Sequence, residues 1–193
     1  MKLIRIPKKN NMRMLKIVVG GVVLMGLGVG RVALSLKPRP LKPIAQLELH
    51  RFVGKWYEIA RKPISIEQKS FKNIITQYSL IDKNKLKVEW LYNTGEGKLG
   101  QLFGEATVIN PPDNSRFKIG YLPEFLHGLR AKSYMVIRID PDYQIALISD
   151  KKRRHFWLLS REPKLHQLLL QDYLSFCQEQ GFKLNDVIYV EHG

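Results

Sequence analysis

The stretch Gly54-Lys55-Trp56-Tyr57-Glu58-Ile59-Ala60-Arg61 most constrains what this chain can fold into. A glycine, a spacer and a tryptophan open an alternating run. Successive side chains of a strand point to opposite faces. One parity carries Trp56, Glu58 and Ala60, and the other carries Tyr57 and Ile59. Apolar groups on both faces do not suit a sheet with one wet side. They suit a barrel strand whose inner face lines a cavity and whose outer face is covered by a helix. On this parity Glu58 points inward. A buried carboxylate is costly when alone, so Glu58 requires a partner or an aqueous opening.

Seven further strand signals follow, at 74–81, 86–92, 102–109, 116–121, 134–139, 143–149 and 154–160. Turn chemistry separates them, as in Asp82-Lys83-Asn84, Asn93-Thr94-Gly95 and Asp140-Pro141-Asp142. Eight short antiparallel strands predict a sandwich or an up-and-down barrel. Residues 47–52 read as a turn of helix closing one end. A helix is expected over 164–180, with Pro163 at its first turn and Gly181 at its stop. It sets Leu165, Leu169, Tyr173, Phe176 and Cys177 near one face. Residues 187–190 form a last short strand able to pair with the first.

Alternation also marks an inner face. It carries Ile74, Thr76, Tyr78 and Leu80, then Leu86, Val88, Trp90 and Tyr92. Next come Leu102, Gly104, Ala106 and Val108, and finally His155, Trp157, Leu159 and Arg161. Small groups at Gly104, Ala106 and Ala60 leave room, and an eight-stranded barrel is wide enough to hold one small ligand.

The formal charge is +15, unevenly placed. Residues 1–43 hold ten Lys or Arg and no acid, so the remainder carries 22 basic and 17 acidic groups. A nucleic-acid reading needs its basic face on the folded part, and this distribution argues against one. Instead, basic residues flank the uncharged apolar run 17–30, which points to a membrane. That run is short for a spanning helix and fits the core of a signal peptide. Arg31 follows it, and Ala33-Leu34-Ser35 offers a small-x-small cleavage site. Residues 1–36 are therefore read as a signal peptide or an uncleaved anchor, 37–45 as a proline-rich linker and 46–193 as the folded domain. One cysteine, Cys177, permits no intrachain disulfide.

Gly54-x-Trp56-Tyr57-Glu58-Ile59-Ala60, the eight-strand pattern, Leu159-Ser160-Arg161, a helix and a last strand together resemble a lipocalin. The resemblance covers about 44–192. It is narrowest to the branch of bacterial outer-membrane lipocalins, apolipoprotein D and plant temperature-induced lipocalins. It implies an all-β fold: an eight-stranded antiparallel up-and-down barrel with one C-terminal α-helix. It implies Trp56 across the closed end, Arg161 stacked on its indole and bonded to nearby carbonyls, and Gly54 giving backbone freedom before the strand. Asp140-x-x-Tyr143 stands where the family has its second motif, departing from the commoner Thr-Asp-Tyr. Bacterial members of the branch carry an acylated cysteine, and the N-terminal region here has none. Attachment is therefore expected through the apolar run itself, with a location in the cell envelope, periplasmic or membrane-anchored.

The resemblance places Tyr134 and Trp157 inward in the upper barrel, where a lipid head or upper chain would sit. His155, Tyr78, Trp90, Ala106 and Ala60 complete the expected lining. Ordinary core packing is the competing account of each. The run Lys151-Lys152-Arg153-Arg154 falls in the hairpin between the seventh and eighth strands, which the resemblance sets at the open end. It reads either as a solvated turn or as a contact for anionic lipid. The apolar segment 121–129, between the fifth and sixth strands, reads as a lid, a bilayer contact or a collapsed loop. The chain has no Gly-x-Ser-x-Gly, zinc-ligand spacing or phosphate loop. No catalytic residue, metal or cofactor is expected, and Cys177 reads as a packing residue. The function expected is storage or transport of a fatty acid or lysophospholipid. The alternatives are a lipocalin-fold enzyme using Glu58 or His155, and a tethered scaffold with a filled barrel.

Overall fold

A computed structural model describes residues 39–64, 69–122 and 131–193. A four-residue helix, α1 (Leu49–Phe52), leads into β1 (Gly54–Arg61). Then follow β2 (Lys72–Asp82), β3 (Lys85–Asn93), β4 (Leu99–Val108), β5 (Arg116–Leu122), β6 (Lys132–Ile139), β7 (Ile145–Ser149) and β8 (Phe156–Ser160). After α2 (Gln167–Glu179), β9 (Ile188–Tyr189) ends the order. Each strand pairs antiparallel with the next from β2 to β8. β1 pairs with both β8 and β2, so the sheet closes, and β9 adds to β1 at Ala60 and Arg61. Closure removes the edges that an open sheet exposes.

This up-and-down path sorts the connections. The β1–β2, β3–β4, β5–β6 and β7–β8 links lie at one end, the mouth. Helix α1 and the β2–β3, β4–β5 and β6–β7 links lie at the other, closed end.

Two apolar clusters follow from the strand alternation. The interior cluster includes Phe52, Trp56, Tyr78, Val88, Phe117, Tyr134, Ile148 and Leu159. The outer one packs α2 on the wall, with Tyr173 and Cys177 against Met135, Ile137, Leu147, Phe156 and Leu158. On the helix, Leu170 and Leu174 join this contact while Leu169 is 44% exposed. Four of the five residues expected on the packed face, Leu165, Tyr173, Phe176 and Cys177, are in this contact, and Leu169 alone gives way to its neighbours. The helix starts at Gln167 because His166 caps it, accepting the Leu168 N–H at 3.3 Å.

The folded domain begins before residue 46. Leu41 is buried in the outer cluster, and the Ile44 N–H donates to the Val136 carbonyl at 2.9 Å. The expected linker is therefore, in its second half, part of the packed domain. The expected signal or anchor segment, 1–36, lies outside the described residues, as do residues 123–129 of the expected lid, 121–129.

The parity of β1 changes midway. A bulge between Glu58 and Ala60 shifts the register against β8. Trp56 and Glu58 face inward as expected. Ile59 and Ala60 both join the outer cluster, and Arg61 turns inward in place of Ala60. A bulge adds one residue to a strand and resets the alternation beyond it. Ala60 therefore does not face the cavity. Leu80 is also off the inner face, 47% exposed, because β2 runs past the barrel floor.

The barrel interior as the candidate binding site

The closed end is built around one arginine. Arg161 Cζ lies 3.8 Å from the centre of the Trp56 ring. Its Nη2 donates to the carbonyls of Arg51 at 2.8 Å and Val53 at 2.9 Å, and its Nη1 to that of Lys55 at 2.8 Å. The first two carbonyls belong to the C-terminal end of α1, where a cation is favoured. Burial lowers the guanidinium pKa, yet an arginine remains charged. The Trp56 indole N–H donates to the Phe52 carbonyl at 2.8 Å. Gly54 is required here. Its φ is +104°, and an added Cβ would stand 3.1 Å from Arg161 Nη1. Asp140-x-x-Tyr143 adds to the same floor. The Tyr143 hydroxyl accepts the Glu48 N–H at 3.0 Å, and the Arg51 guanidinium covers its ring at 4.2 Å.

Above the floor a cavity is lined by Thr76, Tyr78, Trp90, Ile119, Tyr121, Tyr134, Ile148, Trp157 and Leu159. The rings stand in pairs. Tyr134 meets Trp157 edge-on at 5.1 Å, and Trp90 meets Tyr121 at 5.1 Å. The empty space is about 380 Å³ with the mouth included, of which about 30 Å³ is open to the centre of a water molecule. The interior is therefore narrow, with room for a water or two between facing side chains.

Four of the seven sequence-predicted lining residues meet at this cavity: Tyr78, Trp90, Tyr134 and Trp157. Three do not. Ala60 is on the outer wall, and Ala106 is fully buried in packed core. His155 stands at the rim, its ring 6.2 Å from that of Trp157 and its Nδ1 3.1 Å from the Pro63 carbonyl oxygen. The volume that Gly104 was expected to leave is occupied. A Cβ there would meet the Trp90 ring at 3.1 Å and the Gly120 carbonyl at 2.6 Å. Tyr92 turns to the mouth and stacks on Phe71 at 4.3 Å. Tyr121 and Ile119 were missed as lining, although the alternation Phe117, Ile119, Tyr121 carries the signal.

Two polar features stand beside the cavity. Glu58 and Arg61 form an ion pair at 2.9 Å, with side chains 1% and 0% exposed. The partner that the buried carboxylate required thus comes from the residue the bulge turns inward. At the rim, burial holds the His155 imidazole below its usual pKa, against the opposing pull of Asp150 and the Pro63 carbonyl. On the outer wall, burial pushes the Cys177 thiol up to about 12, which fits a packing residue rather than a reactive one.

A closed eight-stranded antiparallel barrel, floored by a stacked Trp–Arg pair and flanked by one helix, with a cavity above the floor, defines a calyx-shaped binding protein. The sequence matches the lipocalin-like domain family over residues 47–192, and the chain belongs to that family. It is 29% identical over 156 residues to the outer membrane lipoprotein Blc of Vibrio cholerae, covering 80% of this chain and 88% of that one. It is 30% identical over 155 residues to Blc of Escherichia coli K12, covering 80% and 84%. Temperature-induced lipocalin-1 of Arabidopsis thaliana is 30% identical over 151 residues, covering 76% and 80%. Among solved structures, insecticyanin from the tobacco hornworm Manduca sexta superposes with a TM-score of 0.60 at 17% identity, covering 79% of this chain and 85% of that one. Lobster apocrustacyanin A1 superposes with a TM-score of 0.59 at 15% identity, covering 75% and 79%. At these identities the structural likeness carries the fold alone. The bacterial relatives are outer-membrane lipoproteins, which supports a cell-envelope location. No helix among the described residues is long and apolar enough to cross a membrane.

Proposed function

We propose that this lipocalin stores or carries fatty acids or lysophospholipids in the cell envelope. The observation that carries the reading is the cavity between Trp90, Tyr121, Tyr134 and Trp157, which lies between the Trp56–Arg161 floor and the mouth end of the barrel. Its wall is largely apolar and its polar groups are few, the usual make-up of a small-molecule site. A chain enters only as the facing side chains part, and it then gains about 25 cal/mol per Å² of apolar area removed from water. The reading is of a binding protein rather than an enzyme, because Glu58 is committed to Arg61 and His155 stands outside the lining.

The narrow interior favours one second reading, a barrel filled by its own side chains and serving as a tethered scaffold. A titration separates the two. Delipidated full-length protein is titrated with oleate and with a lysophosphatidylethanolamine while tryptophan fluorescence is followed. Saturable quenching that is lost in Trp157→Phe supports the carrier. Unchanged emission at ligand concentrations up to the solubility limit supports the filled scaffold.

A further inference from the structure

The two ends of the barrel differ in charge. Among the described residues, the closed-end segments 45–53, 83–84, 109–115, 140–144 and 161–166 hold four Lys or Arg against five Asp or Glu. The mouth-end segments 62–64, 69–71, 94–98, 150–155 and 180–187, with Arg39, hold nine against three. Segment 180–187 belongs to the mouth because the Lys62 ammonium donates to the Lys183 carbonyl and Arg153 Nε to that of Gln180.

The three acids among the described residues of the mouth are already engaged. Glu96 pairs with Lys98 at 2.8 Å, Asp150 with Arg154 at 2.9 Å, and Asp186 with Lys62. The surplus is Arg39, Lys69, Lys151, Lys152, Arg153 and Lys183, all exposed apart from half-buried Arg153. The Arg153 guanidinium is held by two backbone carbonyls, of Gln180 and Arg39. Neither neutralises its charge. The second contact fixes where the chain enters the domain, at the tip of the β7–β8 hairpin beside the mouth.

We propose that the mouth end is a docking face for a bilayer surface rich in anionic phospholipid, so that the cavity opens toward the lipid. Clustered Lys and Arg are drawn to an anionic leaflet and the attraction decays within a Debye length. A bilayer fits better than a nucleic acid. The surplus surrounds the opening of an apolar cavity, and the chain enters the same end from a sequence in which basic residues flank an apolar run. This inference goes beyond ligand binding and stands whether or not the cavity holds a lipid.

The test uses full-length protein carrying one fluorophore, either at the mouth through Ser70→Cys or at the closed end through Lys83→Cys. Cys177 is fully buried with a raised thiol pKa and does not compete for the label at neutral pH. Vesicles contain phosphatidylcholine alone or with about one third phosphatidylglycerol, plus a trace of acceptor-labelled lipid. The two labels are separated by a strand length, about 25–30 Å. On anionic vesicles, energy transfer should be roughly twofold higher from the mouth label, a preference set by charge and screened by salt. Lys151→Glu with Lys152→Glu, or half-molar salt, should bring the two labels level. Cavity titration of the charge-reversed variant should be unchanged, which separates a failure here from a failure of the carrier reading. Equal transfer from both ends on anionic vesicles overturns the proposal. So does a mouth preference that survives both charge reversal and salt.

Discussion

Arg161, which follows the last barrel strand, stacks on Trp56 of the first at 3.8 Å while bonding to four carbonyls just before that tryptophan. A planar guanidinium does both at once. An ammonium in its place keeps the charge and loses the stacked plane and most of the bonds. Arg161→Lys should lower unfolding free energy by about 2–4 kcal/mol, from the lost charge-assisted hydrogen bonds and the cation–π contact. Urea unfolding followed by tryptophan fluorescence measures it, and a loss of a few tenths of a kcal/mol would show the latch to be ornamental to stability.

The Glu58–Arg61 pair gives a second prediction. Both side chains are buried, so removing one leaves the other charge in a poorly solvated interior. Glu58→Gln should cost about 3–5 kcal/mol. The double variant Glu58→Leu with Arg61→Met should cost less than the sum of the two single changes, because it removes both desolvated charges. The three unfolding curves are compared at pH 7, and strict additivity would mean the two groups are not coupled.

Acidification should weaken the rim. His155 has a pKa below its ordinary 6.5 in the folded protein, chiefly through burial, with Lys132 and Arg154 lowering it further and Asp150 and the Pro63 carbonyl opposing. The unfolded chain therefore takes up the proton at higher pH than the folded one. The stability contributed by neutral His155 is complete above about 6.5 and is lost as pH falls through that value to the folded pKa. Partial exposure keeps the effect small. An NMR titration of the His155 ring should give a midpoint below 6.5, and His155→Gln should flatten the fall of melting temperature across the same window. A midpoint above 6.5 reverses the sign.

Trp90 sets the width of the cavity, because its ring fills the space above Gly104. Trp90→Ala should cost roughly 2–4 kcal/mol as the ring leaves a void. It should also tighten binding of a bulky apolar probe such as 1-anilinonaphthalene-8-sulfonate by roughly threefold or more, through added buried area. Probe fluorescence and urea unfolding on the same sample read both effects. Stability lost without any gain in probe binding would mean the barrel collapses into the gap.

What the sequence determined by itself is local. Strand alternation, turn residues and a Pro-to-Gly helix are properties of neighbouring residues, and they predict eight antiparallel strands, in a sandwich or a barrel, with one helix. The choice of a barrel, and the pairing of Trp56 with the distant Arg161, rest on the resemblance to lipocalins. Alternation also marks Tyr78, Trp90 and Trp157 as facing inward, and the resemblance adds Tyr134; each lies on an uninterrupted stretch of its strand. Only the tertiary structure decided what lies beyond an interruption or depends on a neighbouring strand. The bulge in β1 exchanged Ala60 for Arg61 on the inner face, and periodicity cannot register one inserted residue. Trp90 filled the gap over Gly104 because a ring crosses to the next strand, a contact with no local signature. The ends of the barrel acquired different charge because antiparallel connectivity gathers every second loop. The basic run at 151–154 was visible in the chain. Its company at the mouth was decided only when the strands closed.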